Sequence, residues 1–217
     1  MGAIFEKLSA SKPGYGFRPD TDSQSRVLLQ DDESDSSMSL QLRCINSAFQ
    51  TRSKPGQWIG TFRETMTEAQ HREANWEITF TPTRFIVWSP LSVGLMGGMK
   101  AKPGSATGGH ILYSWIDEIL LGTTHSNLPG ITFLFDANPQ DAYYLIQLAE
   151  INFWNTDDAA KIATVLADRI TEFWKKEDVD TPELAAELDK LRNYKWDGRE
   201  TELKLYKAGA KVKYLPG

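Results

Sequence analysis

The stretch Trp76-Glu77-Ile78-Thr79-Phe80 alternates apolar and polar residues without a break, turns at Thr81-Pro82-Thr83, and returns through Arg84-Phe85-Ile86-Val87-Trp88. A side-chain period of two places every second residue on one face, so this part of the chain is committed to a β-hairpin. The same texture extends to either side. Leu40, Leu42, Cys44 and Phe49 fit a half-buried strand, Lys54-Pro55-Gly56 supplies the proline and glycine of a type II turn, and Trp58 to Phe62 reads as a second strand before a polar connection from Met66 to Glu73. Beyond a glycine-rich loop, Ile111 to Trp115 and Ile116 to Leu121 read as one bent strand or two, and Ile131 to Phe135 completes a series of about seven short strands.

Helical spacing follows the strands. Asn138 and Pro139 offer a cap and a first helical residue, and Ala142, Leu145, Ile146, Ala149 and Phe153 then fall on one helical face, predicting a helix that closes the β-layer. Thr156 is the expected cap of a second helix. Its first turn holds Asp157 and Asp158, its end Lys175 and Lys176, and its apolar face Ala159, Ile162, Ala163, Leu166, Ile170, Phe173 and Trp174. Thr181-Pro182-Glu183 opens a third with Leu184, Leu188 and Leu191, for which Gly198 is the expected stop.

Before residue 40 the chain is rich in Ser, Asp, Gly and Pro and ends in an acidic run from Asp31 to Asp35, which predicts an irregular arm docked by Phe17 and Leu28. The expected class is therefore α+β: a small antiparallel β-barrel or two packed sheets of about seven strands, capped by a C-terminal helix and followed by additional helices. The expected division is an arm over 1–39, a β-domain with its capping helix over 40–155, and a helical extension with a basic tail over 156–217.

The hairpin at Thr81-Pro82-Thr83-Arg84, then Tyr113-Ser114-Trp115-Ile116-Asp117-Glu118-Ile119, then Ile131 to Phe135 and the helix, together resemble the pleckstrin homology and GRAM-like domain superfamily. The resemblance covers the middle half of the chain and implies a PH-like β-domain that binds rather than catalyses. Members that hold phosphoinositides carry paired basic residues around the first hairpin. Arg43, Arg52, Lys54 and Arg63 supply charge in the matching region, but Thr61 stands where the basic partner of Arg63 belongs, so that pattern is not met.

Other chemistries lack their residues. Gly104-Ser105-Ala106-Thr107-Gly108-Gly109 has phosphate-loop glycine spacing, yet His110 and Ile111 follow where a P-loop needs Lys and Ser or Thr. His71, His110 and His125 have neither zinc spacing nor a cysteine pair and read as surface or turn residues, and Cys44 reads as a small core hydrophobe. No nucleophile elbow is present, and no metal, cofactor or enzymatic activity is predicted. The segment from Leu203 onward holds Lys204, Lys207, Lys211 and Lys213 with Tyr206 and Tyr214, but the 24 Lys and Arg against 29 Asp and Glu of the chain disfavour nucleic acid as a partner.

A single cysteine predicts a cytoplasmic protein without structural disulfides. Glu6 occupies the position where a myristoylation signal needs Ser or Thr, and the uncharged stretches Phe85 to Met99 and Ile119 to Phe135 are broken by Pro and Gly, so no lipid anchor or transmembrane segment is expected. The segment from Leu91 to Lys102 combines Leu95, Met96 and Met99 with flexible glycines, Lys100 and Lys102. Its expected place is folded back over the β-domain; the alternative is a loop presented to an apolar partner or a membrane interface. The functional expectation is a non-catalytic binding or scaffold module for a protein partner or a second copy of the chain, with anionic lipid as the alternative. Its binding candidates are Arg52, Lys54, Leu95, Met96, Met99, Lys100 and Lys102.

Overall fold

In the computed structural model, the described residues are 28–29, 37–39, 42–51, 77–89, 92–93, 99–100, 107–123, 127–136 and 145–209. Strands β1 (Ser37–Ser39), β3 (Glu77–Phe80), β4 (Arg84–Ser89) and β7 (Thr107–Leu112) form sheet A in the order β1-β3-β4-β7. Strands β2 (Leu42–Thr51), β8 (Ile116–Thr123), β9 (Pro129–Asp136), β10 (Leu145–Phe153) and β11 (Thr201–Lys204) form sheet B in the order β11-β8-β9-β10-β2. Every pairing is antiparallel. A separate two-stranded ribbon joins β5 (Ser92–Val93) to β6 (Met99–Lys100). The α+β class and the two packed sheets hold, but among the described residues the strands do not close into a hydrogen-bonded barrel.

Two of the passages between the sheets are short corners. β1 and β2 are separated only by residues 40–41, and β7 and β8 only by a 3-10 turn over Tyr113–Trp115. The second corner is tied to the predicted hairpin, whose register pairs Phe80 with Phe85. The buried Thr81 hydroxyl accepts from the Arg84 N–H at 3.1 Å and donates to the Arg84 carbonyl at 3.0 Å. Tyr113 then donates its N–H to the Thr83 carbonyl at 3.0 Å and its hydroxyl to the Thr81 carbonyl at 3.1 Å.

Helix α1 (Thr156–Lys176) packs on β9 and β10 of sheet B and buries Ala159, Ile162, Ala163, Leu166, Ile170, Phe173 and Trp174, as its spacing predicts. Phe85 of sheet A meets Phe133 of sheet B with centroids 4.9 Å apart, and Tyr113 meets Phe173 of α1 edge-on at 5.8 Å, so one aromatic chain links all three layers. The cap is Asn155 rather than Thr156: its side chain accepts from the Asp158 N–H at 2.8 Å and donates to the Asp158 carboxylate at 2.9 Å. At the other end Val179 N–H reaches the Trp174 carbonyl and Asp178 N–H the Lys175 carbonyl, with Asp178 at φ 56, which is a Schellman motif built on aspartate in the usual glycine position.

The helix expected from Asn138 through Phe153 is replaced, over Leu145–Phe153, by strand β10, a central strand between β9 and β2. Leu145, Ala149 and Phe153 recur every four residues, a spacing that a helix and a strand satisfy equally. Ile151, buried with Ala149 and Phe153 in the core, follows the period of two, and sheet pairing on both edges decides the matter. Asn138, Pro139 and Ala142 lie outside the described residues, and the helix that packs on sheet B is α1.

Helix α2 (Pro182–Arg192) begins as predicted, with the Thr181 hydroxyl accepting from the Leu184 N–H at 3.1 Å and Leu184, Leu188 and Leu191 buried. It ends at Arg192 instead of running toward Gly198, which at φ 86 belongs to the connection before β11. The expected basic tail is in its first part a core strand, because Leu203 and Leu205 are fully buried and β11 pairs with β8. The arm also departs from irregularity where Ser37–Ser39 pairs with β3. The Leu28 side chain is half exposed, and its segment docks through the backbone. Phe17 and the expected strand Trp58 to Phe62 lie outside the described residues.

Entry into β11 needs a glycine opposite it. Gly122 sits at φ 144, and a Cβ there would stand 3.2 Å from the Glu200 Cα. Gly122→Ala is therefore expected to lower stability by about 1–3 kcal/mol in urea unfolding, through backbone strain and displacement of residues 199–200. An unchanged midpoint would show that the connection relaxes freely.

Candidate functional site

Of the residues expected to bind, Arg52, Lys54, Leu95, Met96 and Lys102 lie outside the described residues. Met99 and Lys100 form β6, in register with Val93 and Ser92 of β5. Within the segment expected as a loose loop, the described residues form a ribbon between β4 and β7 in the chain, in which β5 and β6 pair with each other and with neither main sheet. Of the glycines with phosphate-loop spacing, Gly108 and Gly109 lie in β7, where they pair with Trp88 and Val87, and a strand offers none of the converging amides of a helix N-terminus; Gly104 lies outside the described residues.

Three places gather polar groups. The first is on the face of sheet A opposite Phe85 and Val87. His110 is buried there, correcting its expected surface or turn position, and its Nδ1 lies 2.7 Å from Nη1 of the buried Arg84. A guanidinium only donates, so Nδ1 accepts and the ring is the neutral tautomer with its proton on Nε2. Trp115 meets the imidazole edge-on at 5.6 Å, and Nη2 of Arg84 donates to the Leu28 carbonyl at 3.4 Å, fastening the 28–29 segment to the sheet. An imidazole whose lone pair already holds a cation is a poor general base, so the arrangement suits anchoring better than proton transfer. His71 and His125 lie outside the described residues.

The second place is the face of sheet B that carries Glu118, Glu202 and Lys204. Lys204 is directly opposite Glu118 and bridges Glu202 at 2.8 Å. Partial burial, then the hydrogen bond and negative charge of Glu202, push the Glu118 carboxyl above its ordinary range, whereas the Lys204 ammonium draws Glu202 below it. Nearby on the same sheet, the buried Asn152 amide donates to the buried Glu150 carboxylate at 3.0 Å. Among the described residues no group of three His, Cys, Asp or Glu is placed to hold a metal ion.

The third is a groove of about 240 Å³ between the end of α1 and α2. Trp174, Leu184 and Leu188 form its apolar floor, and Lys175, Asp180, Asp189 and Arg192 stand on its rim. Arg192 is already engaged, bridging Asp168 of α1 at 2.7 Å and Asp189 of its own helix, so it locks the two helices together. No described helix is long and apolar enough to cross a membrane. No family model matches this chain, and no curated protein matches it in sequence.

The Glu118 carboxyl gives a pH test. Because its pKa is raised on folding, its stabilising contribution is complete below the unfolded value of about 4.3 and is lost as pH rises through the folded value. Glu202, lowered on folding, contributes above its unfolded value and loses that contribution as pH falls. Glu118→Gln is expected to gain stability relative to the parent as pH rises above the ordinary carboxylate range in urea titrations. A difference independent of pH would remove Glu118 as the responsible group.

Proposed function

We propose that this protein is a non-catalytic binding module of pleckstrin-homology-like architecture that recognises a protein partner, with the segment over residues 91–102 as its contact element. The observation that carries the reading is the succession of elements: a strand pair split between two sheets at a corner, an antiparallel hairpin, a second corner at Tyr113–Trp115, further antiparallel strands and then a helix packed on sheet B. That order supports the resemblance read from the hairpin and from Tyr113 to Ile119. The interior supports the non-catalytic part, because Phe80, Phe85, Tyr113, Phe133, Phe135, Phe153 and Trp174 fill the space between the layers and leave ligands to be met outside. The ribbon supports the choice of element, since among the described residues β5 and β6 pair with each other and with no strand of the two main sheets.

The test is the triple substitution Leu95→Ser, Met96→Ser and Met99→Ser, together with a photo-cross-linking residue at position 97 in the parent. The expected outcome is a melting temperature within a few degrees of the parent and loss of a saturable, competable cross-link to a protein, because removing exposed apolar groups costs the fold little. A loss of several kcal/mol would place these side chains in the core and overturn the choice of element. Salt-sensitive sedimentation of the parent with vesicles containing phosphatidylserine, without any saturable protein cross-link, would overturn the protein partner in favour of anionic lipid.

A further inference from the structure

The Arg84–His110 contact ties a distant part of the chain to sheet A. Arg84, Ile86 and His110 share the face turned away from Phe85 and Val87, and their exposures there are only 6%, 1% and 6%. On that face Nη1 of Arg84 lies 2.7 Å from His110 Nδ1, and Nη2 donates to the Leu28 carbonyl at 3.4 Å. Leu28 precedes Arg84 by 56 positions, so the guanidinium joins the 28–29 segment to the sheet, and the imidazole lone pair sets where that guanidinium points. We propose that Arg84 and His110 form a proton-operated clasp, in which protonation of His110 turns Arg84 away and releases residues 28–29 from sheet A.

The chemistry of the contact makes it exclusive. A guanidinium can donate to Nδ1 only while that nitrogen keeps its lone pair, and a proton added there replaces the lone pair with an N–H and sets a second positive charge beside the first. Both groups are buried, so little water is present to screen the repulsion. The ring is held in place: Trp115 meets it edge-on at 5.6 Å and is itself stacked on Phe135 of sheet B at 6.4 Å. The long, unbranched Arg84 side chain has more rotamers to move through, and Nη2 leaves the Leu28 carbonyl when it does. Among the described residues, no carboxylate sits beside the pair to neutralise the new charge. On β4 Ile86 is directly opposite His110, the corner contributes the uncharged Trp115, and the 28–29 segment contributes a carbonyl and two leucines. The acid that the strand register puts on this face is Glu77 of β3, opposite Trp88 and one strand further from β7. Histidine is the side chain whose ordinary titration, near pH 6.5, makes such a contact switchable under mild acidification.

The full-length chain tests the clasp with a nitroxide label on residue 28, whose native side chain is half exposed. Leu28→Cys is labelled in a Cys44→Ala background, and the label's motion is followed by electron paramagnetic resonance from about pH 7.5 to about pH 5, across the imidazole range. The ratio of restrained to mobile label is expected to fall at least about tenfold on acidification, the size set by losing one hydrogen bond from a charged donor. His110→Asn puts a carbonyl oxygen where Nδ1 stood and takes up no proton, so its label is expected to stay restrained over the whole range. A ratio that ignores pH in the parent would overturn the proposal. So would a change that persists in His110→Asn, by assigning it to another group such as Glu77. A second measurement needs no variant at position 110: the imidazole nitrogen shifts of His110, read by NMR in the parent, are expected to titrate with the same midpoint as the label, and separate midpoints would overturn the clasp.

Discussion

Tyr113 is the residue through which the layers are held to one another. It is fully buried in the 3-10 turn where the chain leaves sheet A for sheet B. Its ring lies 6.5 Å from Phe85 and 5.8 Å from Phe173 of α1, and its hydroxyl and amide both return to the Thr81–Thr83 turn. Burying a phenol is favourable only when the hydroxyl finds an acceptor, and the Thr81 carbonyl is that acceptor. The consequence is geometric: the corner, the hairpin turn and the covering helix cannot shift independently. Phe85 extends the same contact to Phe133, so among the described residues rings, and not a closed hydrogen-bond ladder, set the sheets against each other.

What was legible in the sequence follows from the arithmetic of periods. The hairpin over residues 76–88 was readable because Trp76 to Phe80 keeps a strict period of two and a short β-branched and aromatic apolar run returns after the proline turn. Helix α1 was readable because Ala159, Ile162, Ala163, Leu166 and Ile170 mix spacings of three and four, which no strand reproduces. Strand β10 was not, because Leu145, Ala149 and Phe153 are separated by fours and therefore fit both. Adjacent capping residues explain the smaller displacement at the start of α1, where Asn155 and Thr156 are both suitable and only the Asp158 contacts select the first.

The sites were harder to read than the fold, for reasons of pairing across distance. Nothing local to His110 announces burial; it is buried because Arg84, 26 residues earlier, lies within reach across β4 and β7, and because the Leu28 segment joins the same cluster. Leu203-Lys204-Leu205-Tyr206 does carry an alternation, but four lysines in the last fifteen residues direct attention to charge rather than to a strand. The i to i+2 pattern there had a partner only after β8 offered its edge. The α1–α2 groove is a tertiary feature of the same kind, since Trp174 and Leu188 belong to faces that the sequence assigns simply to the core.

The use made of sheet edges bears directly on where a partner is met. An unpaired edge is a template for another strand, and proteins cover or shorten such edges. Here the edge of β8 is taken by β11, whose Leu203 and Leu205 are buried and whose Lys204 amide is held by Glu187 of α2 at 3.0 Å. The α2–β11 unit therefore closes a strand-addition surface in the same step that it creates the groove against α1. At the β4–β7 end of sheet A the chain instead leaves the sheet, builds the ribbon of β5 and β6, and re-enters. A chain that spends α2 and β11 on covering the β8 edge, yet inserts the β5–β6 ribbon between β4 and β7, separates the surface that maintains the fold from the surface proposed for recognition.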